Sequence, residues 1–381
     1  MSLFSDLFKK KEVHALGIDI GSSAIKLVQV KRKNGQAVLE TYGELSLGPY
    51  GGAGVGQAVN LPADKIAAAL SDLMKEKEVN VTTKKCGLSI PFGSSLMSVI
   101  EMPDVGPKQL SVMVPMEARK YIPVPISEVM LDWSIIPKSE AQPSAAVEDE
   151  NKEVQSEVTA LESMANMKKV DVLVVAIHKE TIARYQEIVE KAGLEAGFFE
   201  IEIFSTMRSV MDASLKPVLI IDMGAASTKL YIIERGIIRA SHTVNRGSQD
   251  ITATLSQSLS IPMEKAEIIK RESGLIGGDK NVADIITLTL DYIFAEVSNT
   301  LLSFEKKHNK AVEKILLIGG GAALKGLSEV AKNSLKAPVE LGSPFGKLST
   351  PAFLDNVLRE TGPEFAVSIG LALRKLAEEQ I

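Results

Sequence analysis

Two stretches of this chain repeat one pattern: ALGIDIGSSAIKLVQVKRKNGQAVLETY at 15–42 and LIIDMGAASTKLYIIERGIIRASHTV at 219–244. In each stretch, alternating apolar residues predict a strand that ends in Asp-x-Gly, followed by a tight turn and a returning strand. The first copy continues through Asn34 and Gly35, a strong hairpin signal, into a third strand. The repeat indicates an internal duplication of a strand–turn–strand unit.

The bulk composition limits the classes of protein to consider. With 381 residues, the chain exceeds the roughly 250–300 residues at which a single hydrophobic core stops growing, so two lobes are expected. The net charge of -5 argues against nucleic acid as the main partner, because a DNA-binding protein needs basic residues to neutralise phosphates. The single cysteine, Cys86, excludes an internal disulfide and is expected to be a buried thiol. No run of about 18 apolar residues occurs, so no membrane-spanning segment is expected.

The first turn has the residue types of a phosphate-binding loop. Gly21 lets the backbone turn sharply, and the hydroxyls of Ser22 and Ser23 add donors beside the backbone N–H groups. Lys26 lies on the returning strand, from where its ammonium is expected to reach the same phosphate oxygens. Asp19 repels phosphate, so its expected role is to hold a hydrated Mg²⁺ that bridges the phosphates.

The second turn offers a matching set of residues. Asp222 corresponds to the Mg²⁺ ligand, and the expected phosphate-binding residues are Gly224, Ala225, Ser227 and Thr228. Either turn alone is more often a plain hairpin. A structural hairpin, however, does not require the same chemistry twice, so the duplication favours two turns that hold a nucleotide polyphosphate from both sides of a cleft.

A third element is an apolar strand that runs into Gly319, Gly320 and Gly321. Glycines after a strand allow the backbone to approach a flat ring such as adenine. A tight strand-to-helix turn explains the same residues equally well.

A fourth element is a predicted helix, KAEIIKRESGL at 265–275, with Glu267 and Lys270 on one face. One interpretation is an ordinary surface ion pair worth under about 1 kcal/mol. The other assigns Glu267 to ribose hydroxyls and Lys270 or Arg271 to the side of the adenine.

In chain order, the first turn, the second turn, the helix at 265–275 and the glycine run at 319–321 resemble the actin, Hsp70 and sugar kinase superfamily. The resemblance spans residues 13–381. It implies an α/β, actin-like (ribonuclease H-like) fold of two lobes with duplicated sheets. It also implies that ATP or ADP and Mg²⁺ lie in the cleft between the lobes, bound by the residues named above.

The segment at 92–180 narrows the resemblance. It reads as strand, helix, strand, acidic linker and strand, and is similar to the inserted 1C subdomain of FtsA-like and PilM-like proteins. SLMSVIEMP, MEARKYIPVPISEVMLDW, RGSQDIT and FAVSIGLALRK are similar to the PilM family in particular. The end at LALRKLAEEQI, without the amphipathic membrane helix of FtsA-like proteins, also favours that family. Pro115 lies within the helical pattern after Pro107, so this helix is expected to start late or to kink.

The resemblance predicts the following subdomain boundaries: 13–91 and 181–216 for 1A, 92–180 for 1C with a flexible acidic loop at 138–168, 217–245 and 291–362 for 2A, 246–290 for 2B, and 363–381 for a C-terminal helix that returns to 1A.

The second turn departs from the superfamily pattern. Ala225 and Ala226 carry Cβ atoms where many relatives have glycine, and Lys229 replaces a frequent carboxylate. Nucleotide binding is still expected, with slow ATP hydrolysis at most. By comparison with the segment that positions the attacking water in relatives, Glu202 is the expected catalytic residue, and Glu200 is the alternative because a proline of that segment is absent.

A PilM-like protein is expected to be a cytoplasmic, nucleotide-dependent scaffold that reaches the inner face of the cytoplasmic membrane through its partners. The resemblance implies that it binds the N-terminal cytoplasmic peptide of a PilN-like inner-membrane protein, in a type IV pilus, secretion or competence machine. Met113, Tyr121, Ile122 and Val124 are candidate groove residues, although core packing is the simpler explanation for each.

Two other functions of the same superfamily stay open at this point. A small-molecule kinase needs a carboxylate beside the substrate hydroxyl, and only Glu202 and the two turns offer one. An FtsA-like cell-division ATPase forms filaments, and self-association is compatible with the sequence.

Overall fold

A computed structural model describes residues 13–136 and 168–379. The chain divides into two compact units: Phe92–Ala183 forms the smaller, and the chain before and after it forms the larger. The acidic loop expected at 138–168 lies outside the described residues, apart from Lys168.

The described strands, in chain order, are β1 (His14–Ile20), β2 (Ala24–Lys33), β3 (Gln36–Ser46), β4 (Lys85–Ile90), β5 (Ser95–Pro103), β6 (Val129–Ile136), β7 (Lys169–His178), β8 (Glu195–Ile201), β9 (Val218–Met223), β10 (Thr228–Glu234), β11 (Ile237–Val244), β12 (Lys314–Ile318) and β13 (Val339–Leu341). The described α-helices are α1 (Ala63–Lys75), α2 (Pro107–Ala118), α3 (Lys179–Lys191), α4 (Glu202–Val210), α5 (Ser248–Leu259), α6 (Met263–Glu272), α7 (Lys280–His308), α8 (Leu327–Ser334), α9 (Asp355–Thr361) and α10 (Ala366–Glu378).

The larger unit contains two five-stranded sheets with the same topology. Their strand orders are β3-β2-β1-β4-β8 and β11-β10-β9-β12-β13. In both sheets, the first three strands form an antiparallel meander, and two further strands continue from the first strand in parallel. The duplication predicted from the sequence repeat is confirmed.

The two meanders also share their second turn. Asn34 and Gly35 have φ of 52° and 79°, as a two-residue type I′ hairpin turn requires. Arg235 and Gly236 occupy the same place between β10 and β11, with φ of 55° and 74°. The hairpin predicted from Asn-Gly is therefore present in both copies, although the second copy lacks the asparagine.

Both sheets pack against helices. The second sheet packs against α5, α7 and α8 in a core that includes Leu219, Ile286 and Leu317. The first sheet packs against α10 in a core that includes Val28 and Ile369. The residues at the carboxyl ends of β1, β9 and β12 line a cavity, as is usual for ligand sites in α/β sheets.

Helix α10 fixes the position of α4 by an unusually close contact. A Cβ atom on Gly370 would lie 1.9 Å from the carbonyl oxygen of Ser205, so only glycine allows the two helices to approach this far. The contact holds α4 against the first sheet. It thereby sets the position of Glu202, the first residue of α4.

The smaller unit is a three-stranded antiparallel sheet of order β5-β7-β6, covered by α2. Leu110, Val114 and Ala118 form the buried stripe of α2. The helix begins at Pro107, so the late start is wrong, and the kink that was expected as the alternative stays a prediction. Pro115 lies inside the helix, where it removes the hydrogen bond to the carbonyl of Ser111.

Helix α7 meets the length and composition criteria for a membrane span, with a mean hydropathy of 1.3 over an 18-residue window. The helix contains no continuous run of about 18 apolar residues, because Thr, Ser, Asn and charged residues interrupt it. The expectation that no segment spans a membrane stays a prediction. Ile286, Leu290 and Val297 of this helix lie in the core of the second sheet, so packing accounts for its apolar residues. The helix also runs unbroken across the boundary expected between residues 290 and 291.

Cys86 lies in β4 and is fully buried. Burial raises the pKa of its thiol to about 12, so the thiolate that reactive cysteines need is not formed near neutral pH. The expectation of a buried structural thiol is confirmed.

Candidate functional site

A cavity of about 400 Å³ opens between the two five-stranded sheets of the larger unit. Residues directly after β1, β9 and β12 line it, together with residues of α4, α5 and α6 and the segment before α10. Its volume lies in the range of small-molecule and cofactor sites, roughly 300–1,000 Å³.

The two Asp-x-Gly turns face this cavity with the same backbone geometry. The N–H of Gly21 donates to the carbonyl of Ala24, and the N–H of Gly224 donates to the carbonyl of Ser227, both at 3.0 Å. Residues 21–24 and 224–227 lie between the last paired residues of β1 with β2 and of β9 with β10. Two equivalent turns on opposite sides of one cavity can therefore present donors to one anionic ligand.

Asp19 and Asp222 occupy equivalent places at the ends of β1 and β9. Asp19 Oδ1 accepts a hydrogen bond of 2.6 Å from Ser89 Oγ. Burial raises the pKa of Asp19, and the Ser89 hydrogen bond opposes it. Burial raises the pKa of Asp222 to about 6, against the field of Lys229. Both carboxyls thus lie where a cation would stabilise their ionised form.

Lys26 projects into the cavity between two carboxylates. Its Nζ lies 3.2 Å from Glu44 Oε1 and 4.0 Å from Glu364 Oε2. Burial lowers the pKa of Lys26, but Glu44, Glu364 and Asp19 outweigh it, and the net pKa is raised. Burial and the neighbouring Glu44 raise the pKa of Glu364 to about 7.

Glu202 lines the cavity at the start of α4 and is paired with Lys229. The Lys229 Nζ donates to Glu202 Oε1 at 2.6 Å and lies 3.9 Å from Asp222 Oδ2. Burial of Lys229 lowers its pKa, but Glu202 and Asp222 outweigh burial and raise it overall, so the ammonium stays charged.

Glu200, the alternative catalytic residue, does not line the cavity. Its carboxylate accepts hydrogen bonds from Ser205, from both terminal nitrogens of Arg208 at 2.8 and 2.9 Å, and from Arg374 at 2.7 Å. Burial raises the pKa of Glu200, but the hydrogen bonds from the two arginines and Ser205 outweigh burial, and the net pKa is lowered. Glu200 therefore holds α4 and α10 together, which explains its burial.

Glu267 is the centre of a hydrogen-bonded cluster on the cavity wall. Its carboxylate lies 2.6 Å from Lys270 Nζ, 2.6 Å from Arg271 Nε and 2.6 Å from Thr252 Oγ1. Lys270 also donates to the carbonyl of Ser248. Burial raises the pKa of Glu267, but Lys270 opposes it and the net pKa is lowered. The pair is buried, unlike the ordinary surface ion pair considered from the sequence.

Gly319 shows why the glycine run follows β12. Its φ is 84°, and a Cβ there would lie 2.5 Å from Asp222 Oδ1 and 2.6 Å from the carbonyl of Met223. No other residue fits, because both the backbone conformation and the space exclude a side chain. The run thus brings this loop against the second turn.

The structure brings almost all of the predicted site residues to one cavity. Those on its lining are Asp19, Gly21, Ser22, Ser23, Lys26, Glu202, Asp222, Gly224, Ala225, Ser227, Glu267, Lys270, Arg271, Gly319, Gly320 and Gly321. Thr228 is the exception. Its side chain is buried and its hydroxyl donates to the carbonyl of Arg246 at 2.9 Å, away from the cavity.

Two charged residues of the cavity lining were not predicted from the sequence. Glu44 lies opposite Lys26 in the β2–β3 register, and this cross-strand pairing was a signal that could have revealed it. Glu364 comes from a segment more than 300 residues later in the chain, and no local motif marks it.

The residues fit a nucleotide with a divalent cation. Among residues 13–136 and 168–379, no three His, Cys, Asp or Glu side chains converge as a metal cage. A hydrated Mg²⁺ held by phosphates needs only one or two carboxylates, and Asp19 and Asp222 both face the cavity. The two turns can provide hydrogen-bond donors to phosphates.

A second, smaller cavity of about 70 Å³ lies wholly within the smaller unit. It is lined by β5 and the end of α2, and it includes the predicted groove residues Tyr121 and Ile122. Met113 and Val124, the other two, pack against the core of this unit instead. Tyr121 is exposed, whereas Ile122 is buried.

Residues 17–150 and 150–376 match the sequence model of a family described as type IV pilus assembly protein PilM. The chain belongs to the PilM family. The resemblance stated from the sequence is thereby confirmed, and so is the role that the family name describes, in type IV pilus assembly.

The similarity of this PilM family member to other known proteins indicates the actin-like superfamily. A solved structure of a PilM–PilN type IV pilus biogenesis complex is 26% identical, covers 96% of this chain and 99% of its own, and has a TM-score of 0.76. The cell division protein FtsA of Neisseria meningitidis is 24% identical over 93% of this chain and 88% of its own. MreB5 of Spiroplasma citri bound to AMPPNP has a TM-score of 0.50 at 11% identity, with coverage of 97% and 99%. The predicted actin-like, two-lobed α/β fold is confirmed.

Proposed function

We propose that this protein is a nucleotide-dependent scaffold of a type IV pilus, or of a related secretion or competence machine. It binds ATP or ADP with Mg²⁺ in the cavity between its two sheets. In one nucleotide state, it holds the N-terminal cytoplasmic peptide of a PilN-like inner-membrane protein.

The observation that carries the nucleotide site is the pair of equivalent turns across one cavity of about 400 Å³. Backbone N–H groups of both turns, with Ser22, Ser23 and Ser227, bind the phosphates, and Lys26 adds a positive charge. The solved MreB5 structure with AMPPNP has a similar fold and supports a nucleotide as the ligand.

The wall opposite the phosphates suits the nucleoside. Glu267 accepts from the ribose hydroxyls, while Arg271 and the backbone of Gly319–321 flank the base. When bound, Mg²⁺ supplies charge neutralisation between phosphate oxygens and the carboxylates of Asp19 and Asp222. Turnover is slow at most, because Glu202, the residue proposed to position water, is already paired with Lys229.

Nucleotide bridges the two sheets because neither turn alone surrounds the phosphates. A ligand that contacts both turns binds the closed cleft better than an open one, and shifts the population towards it. This differential affinity is the proposed source of nucleotide control.

The PilN-like partner is proposed to dock on the smaller unit. The similar PilM–PilN complex supports a PilN-type partner. The smaller unit offers a cavity beside the exposed Tyr121, and both outer strands of its sheet, β5 and β6, have an unpaired edge within the described residues. Apolar pockets beside a strand edge suit an extended peptide. Through this partner, the protein is placed in the cytoplasm at the inner face of the membrane.

The test begins with binding of ATP and Mg²⁺ measured by calorimetry, against GTP and against EDTA. Ligand at 100 times its dissociation constant stabilises the native state by about 2.7 kcal/mol, so a thermal shift gives an independent readout. Lys26→Met should weaken binding at least tenfold, whereas Lys314→Met, a surface lysine paired with Glu340, should not. Any co-purified nucleotide is removed before the measurement. If the nucleotide-free protein then does not bind ATP, the nucleotide proposal is contradicted.

The partner test uses a fluorescent peptide of the N-terminal cytoplasmic segment of the PilN-like protein from the same organism. Its anisotropy should rise with protein, and ATP should change the affinity. Tyr121→Ala should weaken binding, while Tyr292→Ala, an equally exposed tyrosine of the larger unit, should not. Equal affinity with and without nucleotide contradicts nucleotide control but leaves the scaffold role.

The two alternative functions have separate readouts in the same preparation. A filament-forming FtsA-like ATPase sediments in the presence of ATP, and a small-molecule kinase transfers phosphate to an acceptor faster than to water. Either result replaces the scaffold proposal.

A further inference from the structure

Lys229 is the counterpart of Lys26 in the second copy of the duplicated unit. Lys26 lies opposite Asp19 in the β1–β2 register, and Lys229 lies opposite Asp222 in the β9–β10 register. Both lysines follow their aspartate by seven residues. The fold therefore directs a second ammonium into the cavity, from the side opposite to the first.

The two lysines have different partners. The Lys26 ammonium lies near Glu44 and Glu364 at 3.2 and 4.0 Å, which leaves it room to exchange to a phosphate. The Lys229 ammonium is 2.6 Å from Glu202 Oε1, and the exposed fractions of the two side chains are only 20% and 10%. A charge-assisted hydrogen bond this short between partly buried groups is among the stronger side-chain contacts.

We propose that Lys229 is a built-in counter-ion that keeps Glu202 in an ion pair, so that the cleft holds ATP without efficient hydrolysis. The proposal rests on the nucleotide site proposed above and adds the residue that sets its turnover. Lys229 acts as a positioning residue, through Glu202.

The chemical argument concerns the attacking water. In hydrolysis, the water oxygen bonds to the γ-phosphorus, the bond from that phosphorus to the bridging oxygen breaks, and the water proton leaves to a base while ADP departs. A carboxylate oxygen that already accepts from an ammonium at 2.6 Å is occupied by that donor, so less of the carboxylate is available to orient and deprotonate water. Lys229 thus weakens the one cavity carboxylate that lies at the head of α4.

The electrostatic argument concerns the charge of the site. Asp19, Asp222 and Glu202 bring three carboxylates to the cavity that a polyphosphate must enter. The Lys229 ammonium, 3.9 Å from Asp222 as well, offsets part of this repulsion permanently. Nucleotide affinity should therefore depend less on added divalent cation than it would without Lys229.

The test compares wild type with Lys229→Gln, which keeps a donor but removes the charge, and with Lys229→Arg, which keeps the charge. Single-turnover ATP hydrolysis should rise at least about tenfold in Lys229→Gln, since a positioned general base contributes roughly 10²- to 10⁴-fold. Lys229→Arg should stay near wild type. Lys314→Gln, at a surface ion pair, is the matched control.

A second readout does not depend on hydrolysis. Affinity for a non-hydrolysable ATP analogue is measured with Mg²⁺ and with EDTA. The affinity with Mg²⁺ divided by the affinity with EDTA should be at least about threefold larger in Lys229→Gln than in wild type, and should not change in Lys229→Arg. Glu202→Gln should remove the gain in the Lys229→Gln background, because the gain depends on the Glu202 carboxylate.

The outcomes separate this inference from the nucleotide proposal. If wild type does not bind ATP, both are overturned. If wild type binds ATP but folded Lys229→Gln turns over no faster, or if the gain survives Glu202→Gln, the counter-ion role alone is overturned. Lys229→Met, of similar length, decides the point if Lys229→Gln fails to fold.

Discussion

Asp19 and Asp222 illustrate how equivalent backbone positions acquire different surroundings. Both end the first strand of a meander, and burial raises the pKa of both. Asp19 receives a hydrogen bond from Ser89, whereas Asp222 lies near Lys229. Of these two aspartates, Asp19 therefore has the charge that a nearby lysine neutralises less.

We predict that Asp19→Ala removes the Mg²⁺ dependence of nucleotide affinity without unfolding the protein. The ratio of ATP affinities with Mg²⁺ and with EDTA should fall towards one, because the carboxylate that faces the cation is gone. Calorimetry measures the ratio, and melting temperature monitors the fold. Asp212→Ala, at an aspartate whose side chain is 85% exposed, is the control. A persistent Mg²⁺ dependence would remove Asp19 from the site.

Glu364 predicts a specific pH dependence of stability. Its pKa is raised from 4.5 to about 7, so between these values the folded state retains a proton that the unfolded state releases. The stabilisation is therefore full below pH 4.5 and is lost as the pH rises through about 7. Relative to Glu364→Gln, the wild-type free energy of unfolding should fall by about 2–3 kcal/mol across this window.

Chemical denaturation of the nucleotide-free protein at several pH values measures this difference. Carboxyls that do not contact Glu364, such as Glu200 with its lowered pKa, act in both proteins and cancel. Glu360→Gln, at an exposed glutamate of α9, should leave the pH dependence as it is in wild type. A wild-type minus Glu364→Gln difference that stays flat would contradict the prediction.

The cavity residues that were predicted from the sequence are those with local signals. Glycines, hydroxyls and the lysine seven residues after an aspartate lie within a single turn and strand, so spacing alone reveals them. Glu364 and the partnership of Lys229 with Glu202 depend on tertiary contacts between distant segments, which spacing does not encode. Thr228 was misplaced because the strand's alternation, which points its side chain into the core, was overlooked.

At the scale of elements, the contact of α10 with α4 determines where the catalytic candidate lies. Gly370 permits the close approach, and the carboxylate of Glu200 ties Arg208 of α4 to Arg374 of α10. Removal of one partner of such a buried ion cluster is costly, because it leaves the others uncompensated. The sequence predicted α10 as a returning helix, but not that a glycine sets its depth.

We predict that Gly370→Ala lowers the free energy of unfolding by about 2 kcal/mol or more, since its Cβ meets the backbone oxygen of Ser205, which cannot rotate away. Denaturant titration measures the loss. Gly346→Ala adds a Cβ that meets only the flexible Ser343 side chain at 3.4 Å, and should change stability by less than about 0.5 kcal/mol. Equal effects of the two substitutions would contradict the close contact.

At the scale of the whole molecule, two sheets of identical topology hold one cavity, and a separate unit is inserted at Phe92–Ala183. The repeat in the sequence predicted the duplication because it spans complete strand–turn–strand units. The strand order and the parallel additions required the structure, since β4, β8, β12 and β13 have no counterpart in the repeated motif.

We predict that ATP with Mg²⁺ slows amide hydrogen exchange in both turns together, at residues 21–24 and 224–227. Each turn contributes N–H groups to one ligand, so neither should be protected alone. Exchange followed by mass spectrometry measures this, and Lys26→Met should reduce protection in both turns. Protection confined to one turn would mean that the ligand does not bridge the sheets.

The equivalence of the two turns has a consequence for direction. A cleft with perfect internal symmetry would accept a triphosphate chain equally well in either orientation. Here the first turn carries Ser22 and Ser23 where the second carries Ala225 and Ala226, and the Glu267 cluster lines one side of the cavity. The divergence of the two copies thus gives the cavity a polarity, and we expect the proposed nucleotide to lie in it in a single orientation.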